Sequence, residues 1–239
     1  MSTTSKLAGR QEIAEGTMAF RFKKPPGWIF EAGQAIDITL LTPSETDAEG
    51  NTRTFTIASA PYEKSLMLAT RMRDTAFKRV LKVMPVGTAV QIEGPTGVLT
   101  LHNDAARTAV FLAGGIGITP FRSIAFSAAK EHLPHRLFLF YSNRRPEDAA
   151  FLAELQMLET ENPNFKLIAS MTEMEKSHRP WHGETGMISN EMLARYLKDA
   201  TSPIYYIAGP PGMVKGMHMM IHESGVDEGD IRTEEFSGY

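Results

Sequence analysis

The chain has 239 residues, of which 42% are hydrophobic and 22% charged, the ordinary balance of a globular protein with room for two modest domains. A formal net charge of −3 at pH 7 argues against a general nucleic-acid-binding surface. The chain has no cysteine, which excludes disulfides, thiolate zinc sites and any cysteine-held iron–sulfur cluster within it.

No targeting or membrane-spanning segment is predicted, so we expect a cytoplasmic protein. Residues 1–10 are polar and lack the apolar core of a signal peptide. The longest apolar run, residues 109–121, contains three glycines and a proline and is too short to span a bilayer.

The first hundred residues predict short strands separated by turn residues, a pattern typical of a small barrel or sandwich. Apolar and polar residues alternate in several of these segments, as expected for half-buried strands. The predicted strands are residues 17–22, 34–41, 53–59, 65–73 and 89–93. One helix is predicted over residues 76–84, where apolar residues recur with helical spacing and Asp74 and Thr75 are cap candidates.

The second half predicts a doubly wound parallel sheet, because continuous apolar runs alternate with helical patterns. The predicted strands are residues 108–113, 137–141, 166–169 and 204–208. The predicted helices are residues 121–130, 148–160, 190–197 and 213–224. The polar loop 102–107 is the expected boundary, which gives domains of residues 1–103 and 104–239.

The glycine-rich segment 114–120 joins a predicted buried strand to a predicted helix. Glycines let a diphosphate approach the backbone, and Pro120 suits the first turn of a helix whose N-terminus favours an anion. The spacing differs from G-x-G-x-x-G, and Asn143, Arg144 and Arg145 stand where an acidic residue is expected. The segment is therefore either a phosphate-binding turn or a plain strand–helix turn without a ligand.

The segment Arg53-Thr54-Phe55-Thr56 combines a cation, a ring and two hydroxyls on one predicted strand. Alternation places Arg53 and Phe55 on one face and the two threonines on the other. An arginine can bind a phosphate and a ring can lie beside a flavin. The alternative is an arginine exposed to solvent and a phenylalanine in the core.

Other segments also have a structural and a functional interpretation. The helix start at Asp74 and Thr75 either is simply capped or binds a phosphate through free N–H groups. Residues 208–213 form either a plain turn or a second ligand-binding turn at the carboxyl edge of the same sheet. The seven histidines predict no metal site, because even His218 and His222, four residues apart, lack a third ligand nearby in sequence.

Six motifs, taken in order, resemble those of the ferredoxin–NADP reductase-like superfamily over nearly the whole chain. That family has an R-x-[YF]-[ST] strand, a phosphate-binding helix start, a G-P-x-G turn, a G-G-x-G-x-T-P loop, a C-G-P-P turn and a C-terminal aromatic residue. The matching segments are residues 53–56, 74–77, 94–97, 114–120, 208–211 and 235–239. The resemblance implies an antiparallel flavin-binding β-barrel followed by a doubly wound parallel α/β domain that binds NAD(P).

The resemblance also implies which residues contact the flavin. They are Arg53, Thr54, Phe55, Thr56, Thr70, Arg71, Met72, Thr75, Ala76 and Phe77. Among them, Arg53 would bind the flavin phosphate and Thr56 would lie near N5 of the isoalloxazine. Residues 70–72 would line the ribityl or adenine side, and residues 75–77 would hold the pyrophosphate. FAD is the expected flavin and FMN the less favoured alternative, since residues 74–77 lack the family's usual glycine and serine.

The pyridine nucleotide is implied to bind at the carboxyl edge of the second sheet. The residues concerned are Gly114, Gly115, Gly117, Thr119, Pro120, Ser142, Asn143, Arg144, Arg145, Ala208, Gly209, Pro210, Pro211 and Met213. Arg144 and Arg145 would lie at the adenosine ribose, and two cations without a carboxylate there favour NADPH over NADH.

The catalytic residues implied by the resemblance are Thr56, Thr119, Glu235 and Phe236. Ala208 replaces the family's usual cysteine beside the nicotinamide, so Thr119 and Glu235 become the nearest polar candidates. Either Phe236 or Tyr239 would cover the flavin face at which the nicotinamide enters.

We therefore expect a flavoprotein oxidoreductase that takes hydride from NAD(P)H onto flavin N5 and passes electrons to a separate acceptor. One hypothesis is a reductase of a small redox protein such as a ferredoxin or flavodoxin, which a basic surface of Lys78, Arg79 and Lys82 would support. The alternative is that these three residues form an ordinary solvated helix face. A second is a reductase of free flavin, quinone or ferric chelates. A third is an electron-transfer subunit that is active only within a complex. The oligomeric state stays open.

Overall fold

The computed structural model describes residues 2–236, which form two six-stranded sheets, one in each half of the chain. The strands of the first sheet are β1 (Ser2–Ala14), β2 (Thr17–Lys23), β3 (Ala35–Leu40), β4 (Thr52–Thr56), β5 (Ser65–Arg71) and β6 (Ala89–Thr96). They pair antiparallel in the order β4-β3-β6-β1-β2-β5 and curl into an open barrel. Helix α1 (Ala76–Val83) follows β5.

Period-two alternation gives the barrel its core. In β3, Ile36, Ile38 and Leu40 are buried, whereas the polar residues between them are partly exposed. Helix α1 begins where the Thr75 side chain accepts a hydrogen bond from the backbone N–H of Lys78 at 3.4 Å, as an N-cap does. The apolar residues Phe77, Val80 and Leu81 of α1 then pack into the core of the barrel.

The second sheet is parallel throughout. Its strands are β7 (Ala109–Gly114), β8 (Leu137–Asn143), β9 (Phe165–Met171), β10 (Glu184–Thr185), β11 (Ile204–Gly209) and β12 (Ile231–Glu235). The order is β10-β9-β8-β7-β11-β12, so the winding direction reverses between β7 and β11. The helices are α2 (Ile118–Lys130), α3 (Leu152–Glu161), α4 (Asn190–Tyr196) and α5 (Pro211–Glu223). The predicted fold class, an antiparallel barrel followed by a doubly wound α/β sheet, is confirmed.

Three strands of the structure were not predicted. The long strand β1 is mostly polar, so it has no clear apolar alternation, yet it pairs with both β2 and β6. Strands β10 and β12 lie at the two edges of the parallel sheet, where burial on both faces is not required. The predicted strand over residues 53–59 ends earlier, at Thr56, and helix α2 begins three residues before its predicted start.

The two halves pack against each other through apolar and polar contacts. Ala19 and Met67 of the barrel belong to the same buried cluster as Phe121 of α2. The buried guanidinium of Arg122 donates to the carbonyl oxygen of Ala58 at 2.8 Å and pairs with Glu63 at 3.0 Å. Within residues 2–236, no helix has both the length and the apolar character needed to cross a bilayer.

Candidate functional site

A cavity of about 220 Å³ lies between the two sheets, next to the N-terminus of α1. The predicted flavin-site residues that line it are Arg53, Thr54, Phe55, Thr56, Thr70, Arg71, Thr75 and Phe236. Its other lining residues are Glu49, Ala69, Lys78 and Ile116, which were not predicted as flavin contacts. Because Ile116 and Phe236 belong to the second half of the chain, the cavity is formed jointly by both halves.

One wall of the cavity is built by β4 and α1. The guanidinium carbon of Arg53 lies 5.3 Å from the centroid of the Phe77 ring, and the ring centroids of Phe55 and Phe77 are 5.9 Å apart. The side chains of Arg53 and Phe55 on β4 therefore both face α1, in agreement with the predicted alternation. Phe77 itself is buried in the barrel core, and Met72 packs against the same core.

The guanidinium of Arg53 is bound by the acidic loop that precedes β4. It pairs with Asp47 at 3.2 Å and with Glu49 at 2.8 Å, and it also donates to backbone carbonyl oxygens of this loop. The second oxygen of Asp47 accepts a hydrogen bond of 3.0 Å from the backbone N–H of Ala76, in the first turn of α1. One carboxylate thus lies between a guanidinium and a helix N-terminus, an arrangement that also suits a phosphate.

Asp47 was not predicted as a site residue, because a polar loop carries no pattern that would place one of its carboxylates. Burial tends to raise the pKa of Asp47. Hydrogen bonds from the backbone N–H groups of Ala76 and Glu49 and the charge of Arg53 outweigh that effect, so its pKa lies below the ordinary value. The carboxylate is therefore ionised at neutral pH and keeps its negative charge beside Arg53.

Lys78 contributes a second cation to the cavity. Its Nζ donates to the carbonyl oxygen of Arg71 at 2.8 Å. Burial, together with the positive charges of Arg73 and Arg53, lowers the pKa of Lys78 to about 8. Lys78 is therefore a candidate ligand for an anion in the cavity.

The three cations of α1 that were candidates for a basic surface have different environments. Lys78 lines the cavity instead of facing solvent with its neighbours. The guanidinium of Arg79 is paired with Glu45 and Asp74. Lys82 stays exposed. The acidic loop and the cavity therefore separate these three cations from one another.

The hydroxyl of Thr56 is buried at the end of β4 and donates a hydrogen bond of 2.9 Å to Oε1 of Glu234. Burial raises the pKa of Glu234, although the hydrogen bond from Thr56 partly opposes this. The predicted catalytic glutamate was Glu235, which is exposed. The register of β12 turns Glu234, and not Glu235, towards Thr56, and no sequence pattern predicted that register.

Strand β12 also places the C-terminal aromatic residue. The backbone N–H of Phe236 donates to the carbonyl oxygen of Gly209 at 3.0 Å, and the side chain reaches the cavity. Phe236, one of the two aromatic residues predicted to cover a flavin, therefore lines the same cavity as Arg53 and Thr56. The other candidate, Tyr239, falls outside the described residues.

The two predicted nucleotide turns pack directly on each other where the sheet changes direction. A Cβ atom on Gly117 would lie 2.1 Å from the carbonyl oxygen of Ala208, so no other residue fits there without a backbone shift. A Cβ atom on Gly114 would lie 2.1 Å from Sδ of Met213. A Cβ atom on Gly209 would lie 3.2 Å from the backbone nitrogen and oxygen of Gly114, which is a tight contact. This crevice is the position at which doubly wound sheets bind ligands.

The remaining predicted nucleotide contacts lie at or just after the carboxyl ends of β7, β8 and β11. They are Gly115, Thr119, Pro120, Ser142, Asn143, Arg144, Arg145, Pro210 and Pro211. The hydroxyl of Thr119 donates to the carbonyl oxygen of Ile116 at 3.1 Å, so it stabilises the glycine turn. The side-chain nitrogen of Asn143 is buried and has no hydrogen-bond partner within residues 2–236. An orphaned donor at this edge fits a ligand with polar oxygens.

The two arginines at the end of β8 have different environments. Arg144 is exposed. Arg145 is half-buried and bound by two carboxylates, Asp148 at 2.9 Å and Glu15 at 3.0 Å. The sequence treated these two residues as equivalent readers of an adenosine ribose, but the structure leaves Arg144 alone exposed for that role.

Comparisons with known proteins agree with this geometry. A family model described as an oxidoreductase NAD-binding domain matches residues 111–219. Over 202 residues the chain is 31% identical to one subunit of the Na(+)-translocating NADH-quinone reductase of Methylococcus capsulatus, and the match covers 78% of the chain and 49% of that protein. It is 26% identical over 224 residues to the glycine betaine monooxygenase reductase subunit of Chromohalobacter salexigens, and this match covers 92% of the chain and 60% of that protein.

A solved structure shows the same fold over nearly all of the chain. It is a ferredoxin NADP+ reductase from Neisseria gonorrhoeae with bound FAD and NADP, which superimposes with a TM-score of 0.82 at 21% identity and covers 98% of both chains. The chain spans about half of the length of two relatives, the Na(+)-translocating NADH-quinone reductase subunits of Methylococcus capsulatus and Actinobacillus succinogenes.

Proposed function

Because the chain is a member of the ferredoxin–NADP reductase-like superfamily, with an oxidoreductase NAD-binding domain in its second half, we propose that it is a flavin-dependent reductase. It takes a hydride from NADH or NADPH and passes electrons to a separate acceptor. The observation that carries this proposal is the cavity in which Arg53, Thr56 and Phe236 converge from both halves of the chain.

A bound flavin would supply the redox chemistry, accepting a hydride and releasing electrons singly. Arg53, Lys78 and the N-terminus of α1 would hold its phosphate. Phe55 would lie beside the ring, and the hydroxyl of Thr56, held by Glu234, would be a hydrogen-bond partner for a ring nitrogen. We propose FAD as the flavin, because the structural neighbour carries FAD.

The crevice between the two turns would bind the nucleotide. Gly114 and Gly117 let the two turns pack closely because neither has a Cβ atom, and the orphaned amide of Asn143 would gain a partner in a bound nucleotide. Discrimination in favour of NADPH would depend on Arg144, the exposed one of the two arginines. The division into a flavin domain of residues 1–103 and a nucleotide domain of residues 104–239 remains part of the proposal.

We propose that the acceptor is a small redox protein such as a ferredoxin or flavodoxin. The chain has no cysteine to hold an iron–sulfur cluster of its own, and one relative is named as the reductase subunit of a monooxygenase. A subunit that works only within a complex is the second candidate. It is favoured by the partial coverage of a relative that is named as a subunit of a larger reductase.

The test is the anaerobic visible spectrum of the purified protein before and after the addition of NADPH or NADH. Bleaching of a flavin band is expected with at least one nucleotide, followed by cytochrome c reduction that requires an added ferredoxin or flavodoxin. Bleaching without any effect of these carriers would favour a reductase of small molecules. A flavin band that neither nucleotide bleaches would contradict the proposal and favour the complex-dependent subunit.

A further inference from the structure

Asp148 is an almost completely buried carboxylate at the junction of the two halves, with 3% of its side chain exposed. Arg145 binds it with two hydrogen bonds, from Nε to Oδ2 at 2.9 Å and from Nη2 to Oδ1 at 3.1 Å. Both residues belong to the short turn between β8 and α3. Bidentate pairing of this kind fixes the orientation of both side chains.

The same pair also reaches across to the barrel. Nη2 of Arg71, at the end of β5, lies 3.4 Å from Oδ1 of Asp148, and Nη2 of Arg145 lies 3.0 Å from Oε2 of Glu15. The backbone N–H of Glu15 donates to the carbonyl oxygen of Glu147 at 2.8 Å. We call Glu15, Arg71, Arg145 and Asp148 the Asp148 cluster.

The charges of the Asp148 cluster depend on one another. Burial acts to raise the pKa of Asp148, but the hydrogen bonds from Arg145 and the charges of Arg145, Arg144 and Arg71 hold it below its ordinary value. A buried ion pair that loses one partner leaves an uncompensated charge, which is strongly unfavourable. The contact between the two halves at this point is therefore sensitive to each member of the cluster.

One member of the cluster belongs to the flavin cavity. The side chain of Arg71 lines that cavity beside Thr70, and its backbone carbonyl oxygen holds Lys78. Arg145 follows directly on Arg144, at the edge where the nucleotide would bind. The cluster thus connects a wall of the flavin cavity to the edge of the nucleotide crevice.

We propose that Arg145 and Asp148 are positioning residues, which hold the flavin cavity against the nucleotide-binding half, and that Arg145 does not contact the nucleotide. This inference rests on the proposed function. Hydride transfer requires the two reacting atoms about 3–3.5 Å apart, and a displacement of about 1 Å can reduce the rate on the order of a hundredfold. Loosening this junction should therefore slow the transfer without weakening nucleotide binding.

A second polar contact between the halves is a matched control. Arg122 pairs with Glu63 across the same interface, but neither residue lines the flavin cavity. Replacing Glu63 by Gln removes an ion pair between the halves while leaving the Asp148 cluster intact. The rate of flavin reduction in E63Q therefore shows the effect of a weaker interface when the Asp148 cluster is unchanged.

The experiment measures flavin reduction by NADPH and NADH in stopped flow for D148N, R145Q, R145K, R144Q and E63Q. We expect D148N and R145Q to lower the limiting rate roughly 10- to 100-fold, with the half-saturating nucleotide concentration within about twofold of wild type. R145K, which keeps the charge but not the two parallel bonds, should fall between R145Q and wild type. R144Q should raise the half-saturating NADPH concentration, and E63Q should leave the limiting rate unchanged.

The opposite pattern would overturn the inference. If R145Q raises the half-saturating concentration of NADPH but not of NADH, at an unchanged limiting rate, then Arg145 reads the ribose. Equal losses in D148N and E63Q would assign the effect to a weaker interface. A wild-type protein that neither nucleotide reduces would defeat the proposed function.

Amide hydrogen exchange tests the geometry of the junction independently of any activity. D148N should increase exchange at the N–H of Glu15 and in residues 146–151, whereas E63Q should not. Unchanged protection of these amides in D148N would show that the Asp148 cluster does not hold the junction, even if the rate of flavin reduction falls.

Discussion

The hydroxyl of Thr56 and the carboxyl group of Glu234 are joined by a hydrogen bond of 2.9 Å across 178 residues of sequence. Thr56 ends a strand of the barrel, and Glu234 lies on the edge strand of the parallel sheet. The bond therefore connects the two halves at the place where the flavin ring and the nicotinamide would meet. Under the proposed function, the Glu234 carboxyl group, whose pKa is raised by burial, would lie beside the flavin and could hold or release a proton there.

The raised pKa of Glu234 makes a prediction about stability. Its folded-state pKa lies above the unfolded value of 4.5, because burial disfavours the charged form. The stabilisation is therefore complete below pH 4.5 and is lost as the pH rises through the folded-state pKa. E234Q keeps an oxygen that can accept from Thr56 but cannot ionise. The melting temperature of E234Q relative to wild type is expected to increase from pH 4.5 to pH 8.

E235Q is the matched control for this prediction, because Glu235 is exposed and does not bond Thr56. We expect E235Q to melt like wild type across the same pH series. A difference between E234Q and wild type that stays constant from pH 4.5 to pH 8 would show that burial does not shift the pKa of Glu234.

Replacement of Asp47 by Asn should tighten flavin binding. The Asp47 carboxylate bridges Arg53 and the N–H of Ala76, the groups proposed to hold the flavin phosphate. D47N removes a negative charge that competes with the flavin phosphate for Arg53 and the N–H of Ala76. For a partly exposed ion pair, the expected decrease in Kd is roughly two- to fivefold, measured by titrating flavin-free protein with FAD and following fluorescence quenching.

The control for the Asp47 replacement is E45Q. It removes the same charge from the same loop, but the Glu45 carboxylate bonds Arg79 and not Arg53. We expect E45Q to leave the Kd for FAD close to that of wild type. Weaker FAD binding by D47N would instead mean that Asp47 supports the shape of the cavity and does not compete for the phosphate.

Local patterns predicted much of this site. Alternation along β4 assigned Arg53 and Phe55 to one face, because the side-chain period of a strand depends only on its own backbone. A glycine turn after a buried strand is likewise a local signal for the crevice at Gly117. Such features need no knowledge of which distant segment packs against them.

Contacts between distant segments were not predictable in the same way. Glu234 faces Thr56 because of the register of an edge strand with little apolar pattern. Arg145 is bound by Glu15 across 130 residues, a pairing that depends on how the two halves dock. Asp47 reaches Arg53 from a loop whose path no periodicity describes. In each case the side chain's environment is set by tertiary packing and not by its own segment.

Replacing Gly117 by Ala tests the close packing of the two nucleotide turns. The new Cβ would lie 2.1 Å from the carbonyl oxygen of Ala208, and a backbone atom cannot move aside as a flexible side chain does. We expect a loss of about 1–3 kcal/mol in unfolding free energy, as for other overpacked sites, measured by urea denaturation. Nucleotide binding should weaken as well, because the crevice must open to admit the methyl group.

Gly216→Ala in α5 is the control, since nothing lies within 4 Å of its added Cβ and the residue is exposed. In an exposed helix interior this change should stabilise the protein by about 0.5–1 kcal/mol, because alanine loses less backbone entropy on folding. The two substitutions add the same methyl group. Changes of opposite sign in the unfolding free energy would therefore show that the packing at the crevice causes the loss in Gly117→Ala. A Gly117→Ala protein as stable as wild type would show that the two turns can separate at little cost.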